Sequence, residues 1–148
     1  MPDDELWQLI TSGQQAVLAT TRSDGSPHLS NVLYVVDSAD RVVRISIKRD
    51  TAKVRHLRRD PRAGLHVTGR DFWAWAVAEG PVTLSDVAAV PGDPATEELR
   101  QIHAAFYGPQ PDDEFYPAVI AQQRIVVRLQ VQRVYGLIVT GGRRPSGA

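Results

Sequence analysis

Hydrophobic and polar residues alternate along much of the chain, and this period of two predicts β-strands. In RVVRISIK, for example, Val43, Ile45 and Ile47 lie on one side of a strand. AVLATTRSDGSPHLSNVLYVVD predicts two strands joined at Asp24-Gly25, because this dipeptide is typical of tight hairpin turns. The first half of the chain is therefore expected to be mostly sheet.

Two further segments extend the predicted sheet. RAGLHVTGRDFWAWAVAEGPVTLSD indicates a hairpin that turns near Gly69, and Gly80-Pro81 in its second strand predicts a bulge or bend rather than an end. RIVVRLQVQRVYGLIV is expected to form one long strand or two short ones. The total is six antiparallel strands. A small barrel would hide the edges of such a sheet, so we predict an α+β, mainly β fold built on a six-stranded barrel.

Four segments with helical spacing predict short helices around the barrel. PDDELWQLI carries Pro and acidic residues in its first turn and has one apolar face. TAKVRHLRRDP is expected to start after a cap at Asp50 or Thr51 and to end before Pro61. The third predicted helix lies in DPATEELRQIHAAFYG, with Asp93 or Thr96 as its cap. The fourth lies in PDDEFYPAVIAQQ.

Length and composition indicate one ordinary globular domain. We assign residues 1–140 to a single domain and residues 141–148, GGRRPSGA, to a flexible tail. A net charge of zero argues against a general nucleic-acid binder, and the lack of cysteine excludes disulfides and thiol catalysis. No secretory signal or apolar run long enough for a membrane span is evident, which favours the cytoplasm.

The positive charge is concentrated in one segment. Eight of the 17 Lys and Arg residues lie between Arg44 and Arg62. Arg58 and Arg59 fall at the C-terminal end of the predicted helix, where its dipole favours cations. Lys53 falls in the first turn, where a cation is disfavoured by roughly 0.3–1 kcal/mol. A bound anion would reverse that sign.

We therefore predict a phosphate-sized anion site at Thr51 to Lys53, with a solvated surface run as the alternative. The chain shows no glycine-rich phosphate loop, no nucleophile elbow and no convincing acid–base pair. The four histidines do not have metal-ligand spacing, so no metal site is expected. An enzyme built from this sequence would take its chemistry from a cofactor, and we assign no catalytic residue.

Three blocks, in order, resemble the pyridoxamine-5′-phosphate-oxidase-like split β-barrel proteins. They are AVLATTRSDGSPHLSNVLYVVD, RISIKRDTAKVRHLRRDPRAGLHV and FWAWAVAEGPVTL. Within that family the sequence is most similar to actinobacterial deazaflavin (coenzyme F420)-dependent oxidoreductases of the B type. The resemblance covers Gln14 to Leu84, and RVYGL recurs near the C-terminus. It implies an FMN-binding split barrel and a homodimer with two cofactor sites at the subunit interface.

The resemblance also implies positions for the cofactor. The phosphate tail of FMN or the deazaflavin would lie at Thr51, Ala52 and Lys53, which the dipole argument isolates independently. Lys48, Arg49 or Arg55 is expected to supply a further cation. The ring would contact residues on the second strand and on the strand before the helix, namely His28, Ser30, Asn31, Val32, Ser46 and Ile47. Aromatic residues of the other subunit, Trp73 and Trp75, would cover it.

Alternatives stay open for several of these residues. Trp73 and Trp75 alternate on one strand and suit a core or a dimer interface equally well. Ser30 and Asn31 are more informative, because polar residues in an apolar strand need partners if they are buried.

The resemblance implies hydride transfer from reduced coenzyme F420 to a conjugated small-molecule acceptor. FMN-dependent redox chemistry and cofactor binding without turnover are the rivals. The tail GGRRPSGA does not match that of chains that oxidise pyridoxamine phosphate.

Overall fold

The computed structural model describes residues 2–139, which form four helices and eight strands. The helices are α1 Pro2–Ser12, α2 Ala52–Arg59, α3 Pro94–Tyr107 and α4 Asp112–Ala121. The strands are β1 Gln15–Thr21, β2 Pro27–Leu33, β3 Val35–Asp37, β4 Val42–Lys48, β5 Arg62–Thr68, β6 Trp75–Leu84, β7 Arg124–Gln130 and β8 Arg133–Leu137. The predicted tail, residues 141–148, lies outside the described residues.

All strand pairs are antiparallel, in the order β2-β1-β5-β6-β7-β4-β3, with β8 paired to β6. The predicted fold, α+β, mainly β and consistent with a split barrel, is confirmed. The predicted count of six strands is wrong, because the sheet contains eight. At Tyr34 the chain turns inward, and this separates the short β3 from β2: the side chain is fully buried and its hydroxyl donates to the Ile10 carbonyl at 2.6 Å. Val131 and Gln132 separate β7 from β8.

Strand β6 links the two halves of the sheet at the predicted bend. Its residues 75–79 lie between β5 and β8, and its residues 82–84 pair with β7. At Gly80 a Cβ atom would lie 1.8 Å from the carbonyl oxygen of Gln130. Only glycine permits this approach, and the strand continues through Gly80-Pro81 as predicted.

Alternating side chains fill the interior, as the period of two requires. Val43, Ile45 and Ile47 of β4 point inward, and Val54 and Leu57 fasten α2 to the same core. A second, smaller cluster joins α3 and α4 to the outer side of β7 through residues that include Leu99, Ile102, Phe115, Val119 and Val126. Within residues 2–139, no helix is long and apolar enough to cross a membrane.

Candidate functional site

A cavity of about 320 Å³ opens where the edges of β2 and β4 approach each other. In the described chain β2 pairs only with β1, so the barrel is not closed by hydrogen bonds on this side. The N-terminal end of α2 and the C-terminal half of α3 complete the walls. The lining residues are Asn31, Val32, Leu33, Ser46, Ile47, Lys48, Thr51, Lys53, Ile102, His103, Phe106, Tyr107 and Arg124.

The outer face of β4 and β7 explains the charge of this cavity. The strand register sets Arg44 opposite Arg128, and Lys48 opposite Arg124. Like charges directly opposite each other destabilise a sheet. Glu98 of α3 neutralises the first pair: its carboxylate accepts from Arg128 Nε at 2.8 Å and lies 3.4 Å from Arg44 Nε.

The second pair, Lys48 and Arg124, lines the cavity without such a partner. Neither residue forms an ion pair with any carboxylate of residues 2–139, and no acidic side chain is among the lining residues. Burial lowers the pKa of the Arg124 guanidinium, which means that its charge is poorly solvated. The cavity is therefore suited to an anion.

The start of α2 adds to this preference. Thr51 is the N-cap residue by its extended backbone, but its hydroxyl donates to the Lys48 carbonyl at 3.2 Å and caps no backbone N–H. The first-turn N–H groups thus keep their capacity for an acceptor. Lys53, half-buried and without an ion pair among the described residues, lies in the same turn. The helix start and Lys53 face the cavity together.

The floor of the cavity contains a polar contact that joins three elements. Ser46 Oγ on β4 lies 2.9 Å from His103 Nε2 on α3 and 3.2 Å from Arg124 Nη1 on β7. Arg124 also donates to the Ser46 carbonyl at 3.4 Å. Burial, and then the positive charge of Arg124, lowers the pKa of His103. The imidazole is accordingly neutral at neutral pH.

Most of the predicted cofactor-binding residues meet at this cavity. Six of them line it: Asn31, Val32, Ser46, Ile47, Thr51 and Lys53. Ala52 lies between the last two, in the first turn of α2. Of the three candidates for a further cation, Lys48 lines the cavity, whereas Arg49 and Arg55 line a separate surface depression.

Four predicted residues lie elsewhere in the protomer. His28 and Ser30 are on the opposite side of β2 from Asn31, and His28 packs edge-on against His56 of α2. His28 Nδ1 and Ser30 Oγ are buried without a hydrogen-bond partner among the described residues. Trp75 stacks on His66 with ring centroids 5.6 Å apart, and Trp73 lies in the preceding turn.

Sequence reasoning did not select His103, Phe106, Tyr107 and Arg124. On α3, the spacing of Ile102, His103 and Phe106 was recognisable as helical, but it gave no indication that this face turns toward the cavity. Arg124 enters the site through the register of β7 against β4, in which it pairs with Lys48, 76 positions away along the chain (124 − 48). No local motif signals either contribution.

The fold and this cavity define a split-barrel protein with a cleft between two strand edges that is lined by cations and by no carboxylate. The family model described as pyridoxamine 5′-phosphate oxidase matches residues 2–137, nearly the whole chain. The chain therefore belongs to the pyridoxamine 5′-phosphate oxidase family.

Several solved structures share the fold at low sequence identity. A conserved hypothetical protein from Mycobacterium tuberculosis is 24% identical with a TM-score of 0.69, over 100% of this chain and 95% of that chain. An F420 reductase is 18% identical with a TM-score of 0.65, over 86% and 94%. A heme binding protein from Mycobacterium smegmatis is 24% identical with a TM-score of 0.64, over 97% and 56%. An F420 reductase and a heme binding protein thus share this fold, so the fold alone does not select the cofactor.

Proposed function

We propose that this protein is a cytoplasmic reductase of the F420-dependent B type, which transfers a hydride from reduced coenzyme F420 to a conjugated organic acceptor. The observation that supports this most strongly is the charge of the β2–β4 cavity. Lys48, Lys53 and Arg124 line it, no carboxylate does, and a helix start with free N–H groups opens into it. Such a cavity suits the phosphate of a flavin-like cofactor. The similar F420 reductase makes the deazaflavin the first candidate.

The phosphate would be held by Thr51 and Lys53 with the backbone between them. The ring would lie along the edges of β2 and β4, against Asn31, Val32 and Ile47. Deazaflavin, when bound, supplies the hydride, and the chain contributes binding, orientation and exclusion of water. His28 and Ser30 share the side of β2 that Val32 occupies but do not line the cavity, so their role would be to support this strand rather than to touch the ring.

We further propose a homodimer formed through the outer face of the sheet. The strand registers align apolar side chains of β2, β1, β6 and β8 on one face. Leu29, Leu33, Tyr135 and Leu137 on this face are 64%, 40%, 46% and 36% exposed. Exposed apolar side chains on both sides of β5, whose His66 and Thr68 lie between them on the same face, are typical of an interface. Trp75 shares this face, and with Trp73 it would cover the ring bound by the partner subunit.

The proposal is tested by following the oxidation of reduced coenzyme F420 by its absorbance, with and without the protein, over a panel of enones and quinones. Protein-dependent oxidation with one of these acceptors is the expected result. Tight binding of the cofactor without oxidation by any acceptor would favour the carrier alternative. A purified protein that carries FMN and turns over with it would move the activity to the FMN branch.

A further inference from the structure

The hydrogen bonds at Ser46 define the state of His103. Arginine can only donate, so Ser46 Oγ accepts from Arg124 Nη1. Ser46 Oγ has one proton of its own, and we assign it to the contact with His103 Nε2, 2.9 Å away. In this assignment the neutral imidazole accepts at Nε2 and carries its proton on Nδ1.

The groups around His103 oppose its protonation while the cavity holds no anion. Arg124 of β7 is its nearest cation, and Lys48 of β4 and Lys53 of α2 line the same cavity. On its own helix the adjacent titratable group is Tyr107, and from α4 it meets the uncharged ring of Phe115, with centroids 5.6 Å apart. No carboxylate lines the cavity to offset a fourth positive charge.

An anion in the cavity changes this balance, because it attracts the imidazolium form as well as the fixed cations. When His103 gains a proton from solvent, Nε2 becomes a donor and Ser46 Oγ accepts from both neighbours. The Ser46 hydroxyl proton is then released from the imidazole and can point to the ligand. One proton is taken up, and the cavity gains one charge and one donor.

We propose that an anionic ligand group binds in this cavity together with a proton on His103, so that affinity for the anion rises as the pH falls. This inference rests on the anion-binding part of the proposed function and deepens it. The sign follows from linkage: the anion raises the pKa of His103, so affinity increases as pH falls through the higher, ligand-bound value. It becomes constant below the lower, ligand-free value. Lys48, Lys53 and Arg124 keep their charge over this range.

Inorganic sulfate is a suitable probe, because its charge does not change between about pH 4.5 and about pH 8.5, a range that extends well below the ordinary histidine pKa of about 6.5, from which burial and Arg124 lower that of His103. The chain has four histidines, so the imidazole signals can be resolved by NMR and followed through a pH titration with and without sulfate. We expect sulfate to raise the pKa of His103 alone. The Kd of sulfate should fall about tenfold from high to low pH, which corresponds to a rise of about one in pKa.

The variant His103→Gln supplies the control, because its amide oxygen can accept from Ser46 but does not titrate. It should bind sulfate with a Kd that changes less than about twofold over the same pH range, with thermal unfolding showing that it folds. Equal pH dependence in wild type and variant, or pH-independent binding in wild type, would overturn the inference and leave the proposed function standing. No sulfate binding at either pH would overturn both this inference and the charge argument for the proposed function.

Discussion

The positive charge of the cavity comes from individual cations on β4, β7 and α2. Two pairs of cations lie opposite each other on β4 and β7, and only the pair of Arg44 and Arg128 has a carboxylate within the described chain. Keeping Lys48 opposite Arg124 without one costs free energy. A bound anion offsets that cost, which is why we attribute the arrangement to ligand binding rather than to the stability of the sheet.

Lys53→Ala should weaken binding of the phosphate-bearing cofactor by about 1–3 kcal/mol, because a charge-assisted hydrogen bond is lost at the helix start. The matched control is Arg58→Ala, which removes an exposed cation from the other end of the same helix. Titration of both variants with coenzyme F420 measures the effect. Equal Kd values for the two variants would remove Lys53 from the phosphate site.

Site residues could be predicted from the sequence where their role follows from neighbouring residues in the chain. Lys53 stood out because a cation in a first helical turn is unfavourable, and the structure places it in the cavity. His103 and Arg124 were not predicted, because their positions depend on the docking of α3 and on the register of β7 against β4. The residues next to them in the sequence do not indicate either arrangement.

Helix α3 forms one wall of the cavity, and two contacts fasten it to the sheet. Glu98 binds Arg44 and Arg128 near its N-terminal end, and His103 meets Ser46 about one and a half turns later. The Glu98 side chain is only 14% exposed, so its charge is poorly screened by water. The position of the wall therefore depends on the ionic contact as well as on apolar packing.

Glu98→Gln should lower the free energy of unfolding by about 1–3 kcal/mol, because Arg128 would lose its carboxylate partner and would face Arg44, which would keep only Asp37 at 3.3 Å. It should also weaken cofactor binding, since α3 would be held less firmly. Glu114→Gln is the control, as Glu114 is exposed and outside the ion pairs of the described residues. Urea unfolding of both variants is the measurement. A stability loss no larger for Glu98→Gln than for the control would show that apolar packing alone positions α3.

Elements were predictable wherever pattern and caps agreed. Thr51 and Asp93 occupy the N-cap positions of α2 and α3 as predicted, and Gly25 takes the positive φ that the first hairpin needs. The short strand β3 was missed because three residues are too few for a period to show. Its separation from β2 depends on Tyr34 turning into the core, which is a tertiary contact.

At the scale of the whole molecule, the proposed cofactor site needs two copies of the chain. The aromatic residues expected over the ring, Trp73 and Trp75, do not line the cavity of their own protomer. The exposed apolar face that carries Trp75 offers the surface through which a partner would bring them there. A monomer would leave both this face and the ring uncovered.

Leu29→Lys should convert the dimer to a monomer, because it places a charge within the proposed interface at its most exposed leucine. Its cofactor affinity should fall as well, since the partner's aromatics would be lost. Val90→Lys is the control: Val90 is 60% exposed, close to the 64% of Leu29, but lies before α3, away from the sheet face. Sedimentation velocity at matched concentrations distinguishes the species. A monomeric wild type, or a Leu29→Lys variant that stays dimeric, would contradict this interface.

The order of strands and helices was enough to predict the fold class, whereas the family was predicted from the resemblance of three sequence blocks and is confirmed by the family model that matches residues 2–137. The choice of cofactor was not, since neighbours of the same fold include an F420 reductase and a heme binding protein. That choice depends on ring contacts spread over β2, β4 and, in our proposal, the partner subunit. No single residue reports it.

The most direct test of the central claim is a titration of the purified protein with coenzyme F420 and, separately, with FMN, followed by fluorescence. We predict micromolar binding of the deazaflavin and much weaker binding of FMN. The reverse preference would contradict the proposed cofactor and favour an FMN enzyme. Binding of neither, or saturable binding of hemin in their place, would contradict the assignment of the β2–β4 cavity to a flavin-like ligand.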